Sequence, residues 1–122
     1  MAKLIEAVYG DALMETGKEK GILKQLLEEA EWLLEIFQAN PELKLFLNHP
    51  RIATEEKVHV MEQVFGEAGQ KEKKKSELSR EMLGFLKVIV EKKRQDILDK
   101  ILTYFADNVK EYFHIGVVFV AA

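Results

Sequence analysis

The fold is decided by residues 21–40, which read GILKQLLEEAEWLLEIFQAN. Apolar residues recur here at steps of three and four, so a helix places them on one side and most of the glutamates on the other. This pattern indicates a long amphipathic helix that packs against a core. The apolar set is Ile22, Leu23, Leu26, Leu27, Ala30, Leu33, Leu34 and Phe37. Of these we assign Leu23, Leu26, Leu34 and Phe37 to the core and leave Trp32 unassigned.

Helical periodicity continues on both sides of this stretch. Residues 3–16 predict a first helix that stops at Gly17. Asn40-Pro41-Glu42 suits the start of a short third helix, because Asn caps helices, Pro fits the first turn and Glu complements the helix dipole. His49-Pro50 ends that helix, since the residue before a proline disfavours the α region.

Capping residues delimit the remaining helices. Thr54 is expected to cap a fourth helix that stops at Gly66, and Ser79 is expected to cap a fifth. A polar, lysine-rich loop is expected at 67–78, and a last long helix at about 94–113. The residues of that last helix assigned to the core are Leu98, Ile101 and Phe105.

The C-terminal residues change character. Val117 to Ala122 form an apolar run that favours an extended strand. We therefore predict an all-α fold, a six-helix bundle with a short C-terminal extended segment. Residues 1–114 are predicted to form a helical N-terminal domain, and residues 115–122 to start the connection to a C-terminal domain that is absent here.

Composition describes an ordinary globular domain. The 122 residues are 48% hydrophobic and 32% charged, with a net charge of −3. This balance argues against nucleic acid as a partner. No apolar stretch approaches the length that spans a bilayer, so direct membrane insertion is not expected. The absence of cysteine excludes disulfides and thiolate chemistry.

Residues that could support catalysis are few. The histidines are His49, His59 and His114, and Glu56-x-x-His59 has the spacing of helical di-iron sites without the second copy that such sites need. We expect His59 to be a surface residue, and we expect no metal and no cofactor. No glycine-rich phosphate loop or nucleophile elbow is present. An enzyme is not expected, and a helical-bundle enzyme with a carboxylate–histidine metal site is kept as an alternative.

Two helices carry more apolar surface than one face requires. The first helix spreads apolar residues beyond a narrow stripe, and the helix after Ser79 is apolar around most of its circumference. Such a helix is either buried centrally or faces both the core and a partner. The pattern alone favours neither account. The small residues Gly10, Ala12 and Gly84 suit close helix packing, either within the chain or with a docked helix.

The order of several short motifs resembles the ATP synthase delta subunit family, whose mitochondrial member is the oligomycin-sensitivity-conferring protein. The resemblance covers nearly the whole chain. The chain departs from the family pattern at three places. Gly10 stands in place of the usual alanine, Lys92-Lys93 stands in place of an Asn-Gly that often precedes the arginine, here Arg94, and the lysine-rich loop is longer than typical. The motifs are Tyr9-Gly10-Asp11-Ala12-Leu13, Asn40-Pro41-Glu42-Leu43, Phe46-Leu47-Asn48-His49-Pro50, Thr54-Glu55-Glu56-Lys57, Val64-Phe65-Gly66 and the run from Leu83 to Glu91.

The resemblance implies a non-catalytic stator subunit of the peripheral stalk. In that family a groove between the first and fifth helices receives the N-terminal segment of an alpha subunit. The b subunits bind through the C-terminal domain, which is absent here. The complex lies at the cytoplasmic side of the bacterial cell membrane. The groove residues expected here are Ile5, Tyr9 and Ala12 on the first helix and Gly84, Phe85 and Val88 on the fifth. An unrelated helical adaptor that binds an amphipathic peptide is the alternative.

Overall fold

A computed structural model describes residues 4–65 and 78–121, with residues 65 and 115–121 described by their backbone alone. Within these ranges the chain forms six α-helices and no strand, which confirms the all-α fold. Most of the polar loop predicted at 67–78 lies outside the described residues. The helices are α1 (Ile5–Lys20), α2 (Leu23–Ala39), α3 (Pro41–Leu47), α4 (Thr54–Phe65), α5 (Arg80–Glu91) and α6 (Leu98–Ala121), and a 3₁₀ turn (Gln95–Ile97) precedes α6.

Helix α1 continues for about one helical turn beyond the stop predicted at Gly17. Gly17 does not stop α1; it is a buried residue within the helix. A side chain there would lie 2.6 Å from Leu23 Cδ1 and 3.1 Å from Leu26 Cδ1, so this glycine lets α1 and α2 pack closely. The stop is Gly21, whose φ of 67° is the left-handed conformation that glycine adopts without strain. The Ile22 amide donates to the Gly17 carbonyl at 3.0 Å, which completes a Schellman cap.

The other predicted caps divide into one that forms and two that do not. Ser79 Oγ accepts the Met82 amide at 3.1 Å and caps α5, as predicted. Asn40 stands at the N-cap position of α3, but its side chain donates backwards to the Ile36 carbonyl at 3.0 Å. Thr54 is the first residue of α4 and not its cap. Helix α3 ends at Leu47, before His49-Pro50, as expected.

The end of α5 contains an unusual backbone conformation. Lys93 has a φ of 60°, the only positive φ at a non-glycine position among the described residues. The Arg94 amide donates to the Ile89 carbonyl at 2.9 Å and the Lys93 amide to the Val90 carbonyl at 3.0 Å. This is again a Schellman cap, and it requires a left-handed residue at position 93.

The extended segment predicted for residues 115–122 is wrong for its described part, because the α6 backbone stays helical to Ala121. A strand gains its hydrogen bonds from a neighbouring strand, and none is present in the described ranges. Extending an existing helix adds one hydrogen bond for each residue fixed, with no new nucleation step. The assignment of these residues to an interdomain connection stays a prediction.

The helices fall into two compact units. In the first, which comprises the described residues up to Glu35 and from Asp99 onward, α1, α2 and α6 pack together. Tyr104 Oη donates to Asp11 Oδ1 at 2.8 Å and joins α6 to α1. The Lys110 ammonium lies 2.8 Å from a Glu31 carboxylate oxygen and joins α6 to α2; hydrogen bonding and charge attraction from Glu31 raise the pKa of Lys110.

The second unit comprises the described residues between Ile36 and Leu98. Its α4 and α5 pack against each other. Met61 of α4 and Met82, Leu86 and Ile89 of α5 are fully buried. Apolar side chains that leave water at these positions supply the main stabilisation of the unit.

Of the residues assigned to the core from the sequence, all but one are buried. Leu34 is the exception, since it is half-buried, and Trp32 is half-buried as well. The neighbouring Leu33 is fully buried in place of Leu34. One step along a helix rotates a side chain by about 100°, so a periodic pattern fixes the buried face only to within about one residue. The confirmed positions are Leu23, Leu26, Phe37, Leu98, Ile101 and Phe105.

Candidate docking surface

Helix α1 has two apolar sides. Its buried side is a stripe at steps of three and four that consists of Ala7, Gly10, Leu13 and Gly17. These residues are small except for Leu13, so the helix axis approaches its neighbours closely. Helical geometry places Leu4, Ile5, Val8 and Ala12 on the opposite side.

We call Leu4, Ile5, Val8 and Ala12 the α1 patch. All four are exposed: Leu4 retains 67% of its accessible surface, Val8 49% and Ile5 38%. Tyr9 borders the patch and is half-buried. Isolated exposed apolar residues are common, but four that follow one face of one helix form a continuous apolar surface. That surface is open to a partner.

The contact with α6 fixes the rotation of α1 about its axis. A side chain on Gly10 would lie 2.4 Å from Tyr104 Cδ1, so the Tyr104 ring occupies the space that an alanine methyl group would need. The same tyrosine donates its hydroxyl hydrogen to Asp11. Gly10 and Asp11 together hold the buried side of α1 toward α6, which turns the α1 patch outward.

Helix α5 also presents an apolar surface. Its buried residues are Met82, Leu86, Ile89 and Val90. Gly84, Phe85 and Val88, which we call the α5 patch, lie at steps of three and four on another side. Val88 is 43% exposed, and Gly84 and Phe85 are half-buried.

Gly84 differs from the buried glycines of α1. No described atom lies within 4 Å of the place where its Cβ would be. Glycine inside a helix costs about 0.5–1 kcal/mol relative to alanine. The packing of the described residues gives no reason for that cost, so the space above Gly84 is available to a partner.

An ion pair beside the α5 patch holds α5 against α4. Lys87 Nζ lies 2.8 Å from Glu62 Oε2. The hydrogen bond from Lys87 and its charge lower the pKa of the Glu62 carboxyl, and the same contact raises the pKa of the Lys87 ammonium. Both side chains are partly exposed, so salt screens the attraction between them. The pair helps to fix the register of α5 on α4.

The structure places all six groove residues predicted from the sequence outside the buried core. It groups them as two sets of three, one on α1 in the first unit and one on α5 in the second. Leu4 and Val8 were not among the predicted groove residues, although they are the most exposed members of the α1 patch. Their spacing of four, opposite the buried stripe, is the signal that identifies them.

Among the described residues, no three His, Cys, Asp or Glu side chains come together in a way that could hold a metal ion. His59 is exposed, as predicted, and His49 Nδ1 accepts the Arg51 amide at 3.1 Å. In the same part of the chain, no helix combines the length and apolar character that crossing a bilayer requires.

Comparison with known proteins identifies similar sequences along the whole chain. The sequence model of the family described as ATP synthase delta (OSCP) subunit matches residues 5–122. An ATP synthase subunit delta of Lachnoclostridium phytofermentans is 38% identical over 122 residues, which is 100% of this chain and 62% of that protein. A protein of the same name from Halalkalibacterium halodurans is 32% identical over 111 residues, 86% of this chain and 56% of that protein. The chain thus spans less than two thirds of the length of these relatives.

Proposed function

Because this chain belongs to the ATP synthase delta (OSCP) subunit family, we propose that it is a non-catalytic subunit of the peripheral stalk. Its helical domain binds the N-terminal segment of an alpha subunit and keeps the catalytic head from rotating with the rotor. The remainder of the full-length protein binds the b subunits, at the cytoplasmic side of the bacterial membrane. Two exposed apolar surfaces carry this proposal, the α1 patch in the first unit and the α5 patch in the second.

A stator joint needs slow dissociation and no reactive group. An apolar helix face that packs on an exposed apolar patch removes both surfaces from water, and apolar burial of this kind chiefly slows dissociation. An amphipathic helix supplies such a face at steps of three and four. On the α5 patch, Gly84 and Phe85 are half-buried beside exposed Val88, so the patch is uneven. An uneven surface favours a helix over a flat partner.

The direct test is a titration of this chain with a labelled synthetic peptide that covers the N-terminal helix of the alpha subunit. We expect saturable binding, measured by fluorescence anisotropy. Absence of saturation at tens of micromolar would contradict the proposal. A set of unrelated amphipathic peptides that bind as tightly as the alpha peptide would favour the alternative, a helical adaptor of broad specificity.

Charged substitutions in the patches locate the site. Ala12→Glu or Val88→Glu should weaken peptide binding by at least about 30-fold, roughly 2 kcal/mol, because docking would bury an unpaired carboxylate. The fold should persist, since both positions are exposed. Leu45→Glu is a matched control, because Leu45 is a 71% exposed apolar residue of α3 outside both patches. If the control weakens binding equally, or if the two variants unfold by circular dichroism, the assignment is wrong.

A further inference from the structure

One lysine of the second unit is buried without a partner. Lys57 of α4 retains 5% of its accessible surface and is the only charged residue in the buried set of the described chain. Within the described ranges, no acceptor pairs with its ammonium group. Lysine is almost never buried to this extent unless it is paired. Methionine or leucine would fill the same space without the charge, so packing of the stem alone does not account for a lysine here.

The helix that carries Lys57 starts without a side-chain cap. Helix α4 begins at Thr54, and the Lys57 amide donates to the Ala53 carbonyl at 3.1 Å, so Ala53 occupies the N-cap position. Alanine has no side-chain oxygen that could accept the first amides of the helix, in contrast to Ser79 at the start of α5. These amides and the helix dipole give this end of α4 a partial positive charge.

The side chain of Lys57 is aimed at the same end of α4. Long side chains in an α-helix point back toward the helix N-terminus and lie over the residues three and four positions earlier. For Lys57 those residues are Thr54 and Ala53, the first residue of the helix and its cap position. A buried ammonium group without an acceptor is therefore directed toward uncapped amides, which also lack an acceptor at the cap position.

A second cation reaches this end of α4 from α5. Lys93 Nζ lies 3.5 Å from Thr54 Oγ1. The first-turn carboxylates belong to Glu55 and Glu56, which are exposed. Helical geometry places them about 100° and 200° around the helix axis from Thr54, away from the face that carries Lys57. Two ammonium groups, one hydroxyl group and the first amides of α4 thus meet on a face that the carboxylates leave free.

We propose that Thr54, Lys57, Lys93 and the first amides of α4 form a binding site for a small oxyanion of the phosphate class. The two lysines supply the counter-charge, and the amides and the Thr54 hydroxyl donate hydrogen bonds. Contacts of this charge-assisted kind are short and strong. Since Lys57 retains so little exposure, the site admits one oxyanion group and no bulkier part of a ligand. It shares no residue with the α1 or α5 patch and does not depend on the proposed function.

The test is a titration of this chain with inorganic phosphate, with sodium chloride keeping the ionic strength constant. The unfolding midpoint should rise by about 4 °C when phosphate is at ten times its dissociation constant. The backbone amide signals of Glu55 and Glu56 in the NMR spectrum should shift along the same binding curve, because these amides face the anion. Unchanged amide signals at a saturating phosphate concentration would overturn the inference.

Replacing the buried lysine separates binding from stability. Lys57→Met removes the charge and keeps the approximate shape of the side chain. It should raise the midpoint in the absence of phosphate, since a buried unpaired ammonium group is lost. It should also weaken phosphate binding at least about tenfold. Lys24→Met on α2 is the control, because Lys24 is exposed and the change in net charge is the same.

Phosphate also stabilises proteins in general, because it is excluded from their surfaces. If Lys57→Met and Lys24→Met gain as much stability from phosphate as the unaltered chain does, the effect is this general one and the inference is overturned.

A second pair of variants leaves the buried lysine in place. Lys93→Met should weaken phosphate binding, and Lys92→Met, at the neighbouring exposed lysine, should not. Equal weakening by both would show that only the overall charge matters, which contradicts a site at Thr54. Adenosine monophosphate, titrated in the same way, distinguishes a free phosphate from one that a nucleotide carries. Binding of either compound that is lost in Lys57→Met supports the site and identifies the source of its anion.

Discussion

Gly10 and Gly84 each lie within a helix, but for different reasons. Gly10 is required by packing, since a Cβ there would lie 2.4 Å from Tyr104 Cδ1. Gly84 meets no described atom within 4 Å, so the interior of the protein does not require it. A glycine that costs helix stability without a packing reason points to a surface that another backbone approaches.

Replacing each glycine by alanine tests this difference. Gly84→Ala should raise the free energy of unfolding by about 0.5–1 kcal/mol, because alanine restricts the unfolded chain and favours helix. It should also weaken binding of the alpha-subunit peptide, because the new methyl group holds the docked helix away. Gly10→Ala is the matched comparison and should lower stability, since the Tyr104 ring must move. Urea unfolding gives the stabilities, and tighter peptide binding by Gly84→Ala would contradict the assignment of Gly84 to the contact.

Lys93 adopts a backbone conformation that residues other than glycine rarely adopt. Its φ of 60° is in the left-handed region, where a Cβ crowds the following carbonyl group. Lys93→Gly should therefore stabilise the protein by about 1 kcal/mol. Lys92→Gly should destabilise it, because Lys92 has an ordinary φ of −84° and glycine there only adds freedom to the unfolded chain. Thermal unfolding of both variants measures the effect, and equal shifts in the two midpoints would show that the conformation carries no strain.

At the scale of helices, local sequence signals predicted which segments are helical. They were wrong where contacts with other parts of the chain determine the conformation of a segment. Periodicity located all six helices, because each buries an apolar face. Gly17 was taken as a stop signal, but it serves the close approach of Leu23, which lies six residues further along the chain. The apolar C-terminal run was predicted as a strand, since the composition of a single segment carries no information on whether a pairing strand exists.

The candidate docking surface could be predicted only in part, for a related reason. Apolar residues beyond a narrow stripe of α1 and around most of α5 left two accounts open, central burial or contact with both the core and a partner. The Gly10–Tyr104 contact, which joins distant parts of the sequence, settles this for α1. Leu4 and Val8 then become the most exposed members of the patch. Tyr9, which the family motif singled out, is half-buried at its border.

At the scale of the whole molecule, the ion pair of Glu62 and Lys87 makes stability depend on pH. The pKa of Glu62 is lowered by Lys87, so the stabilising contribution of this carboxyl is present above its ordinary pKa of about 4.3 and is lost as pH falls through the lower folded-state value. The pKa of Lys87 is raised, so its contribution is present below about 10.4 and is lost only at higher pH. The contribution of the pair is therefore constant between about pH 6 and 9.

Glu62→Gln should lower the unfolding midpoint near neutral pH and flatten its decline below about pH 4.3. Lys87→Gln should have the same effect, and the double variant should add little to either, because both changes remove one interaction. The effect should shrink at high salt, since both groups are partly exposed. Additive effects of the two substitutions would show that the pair does not act as a unit.

The way the chain is divided between its two units affects the order in which those units can fold during synthesis. The second unit is one continuous stretch, from Ile36 to Leu98, whereas the first joins the two ends of the chain. Its hydrogen bond between Tyr104 and Asp11 links positions 93 residues apart. Contacts between distant positions form slowly, and synthesis on the ribosome delivers the N-terminus first. Helix α1 can pack on α2 as soon as both have been synthesised, but its contact with α6 must wait for α6 to emerge. The first unit therefore cannot be completed until the whole second unit has been synthesised.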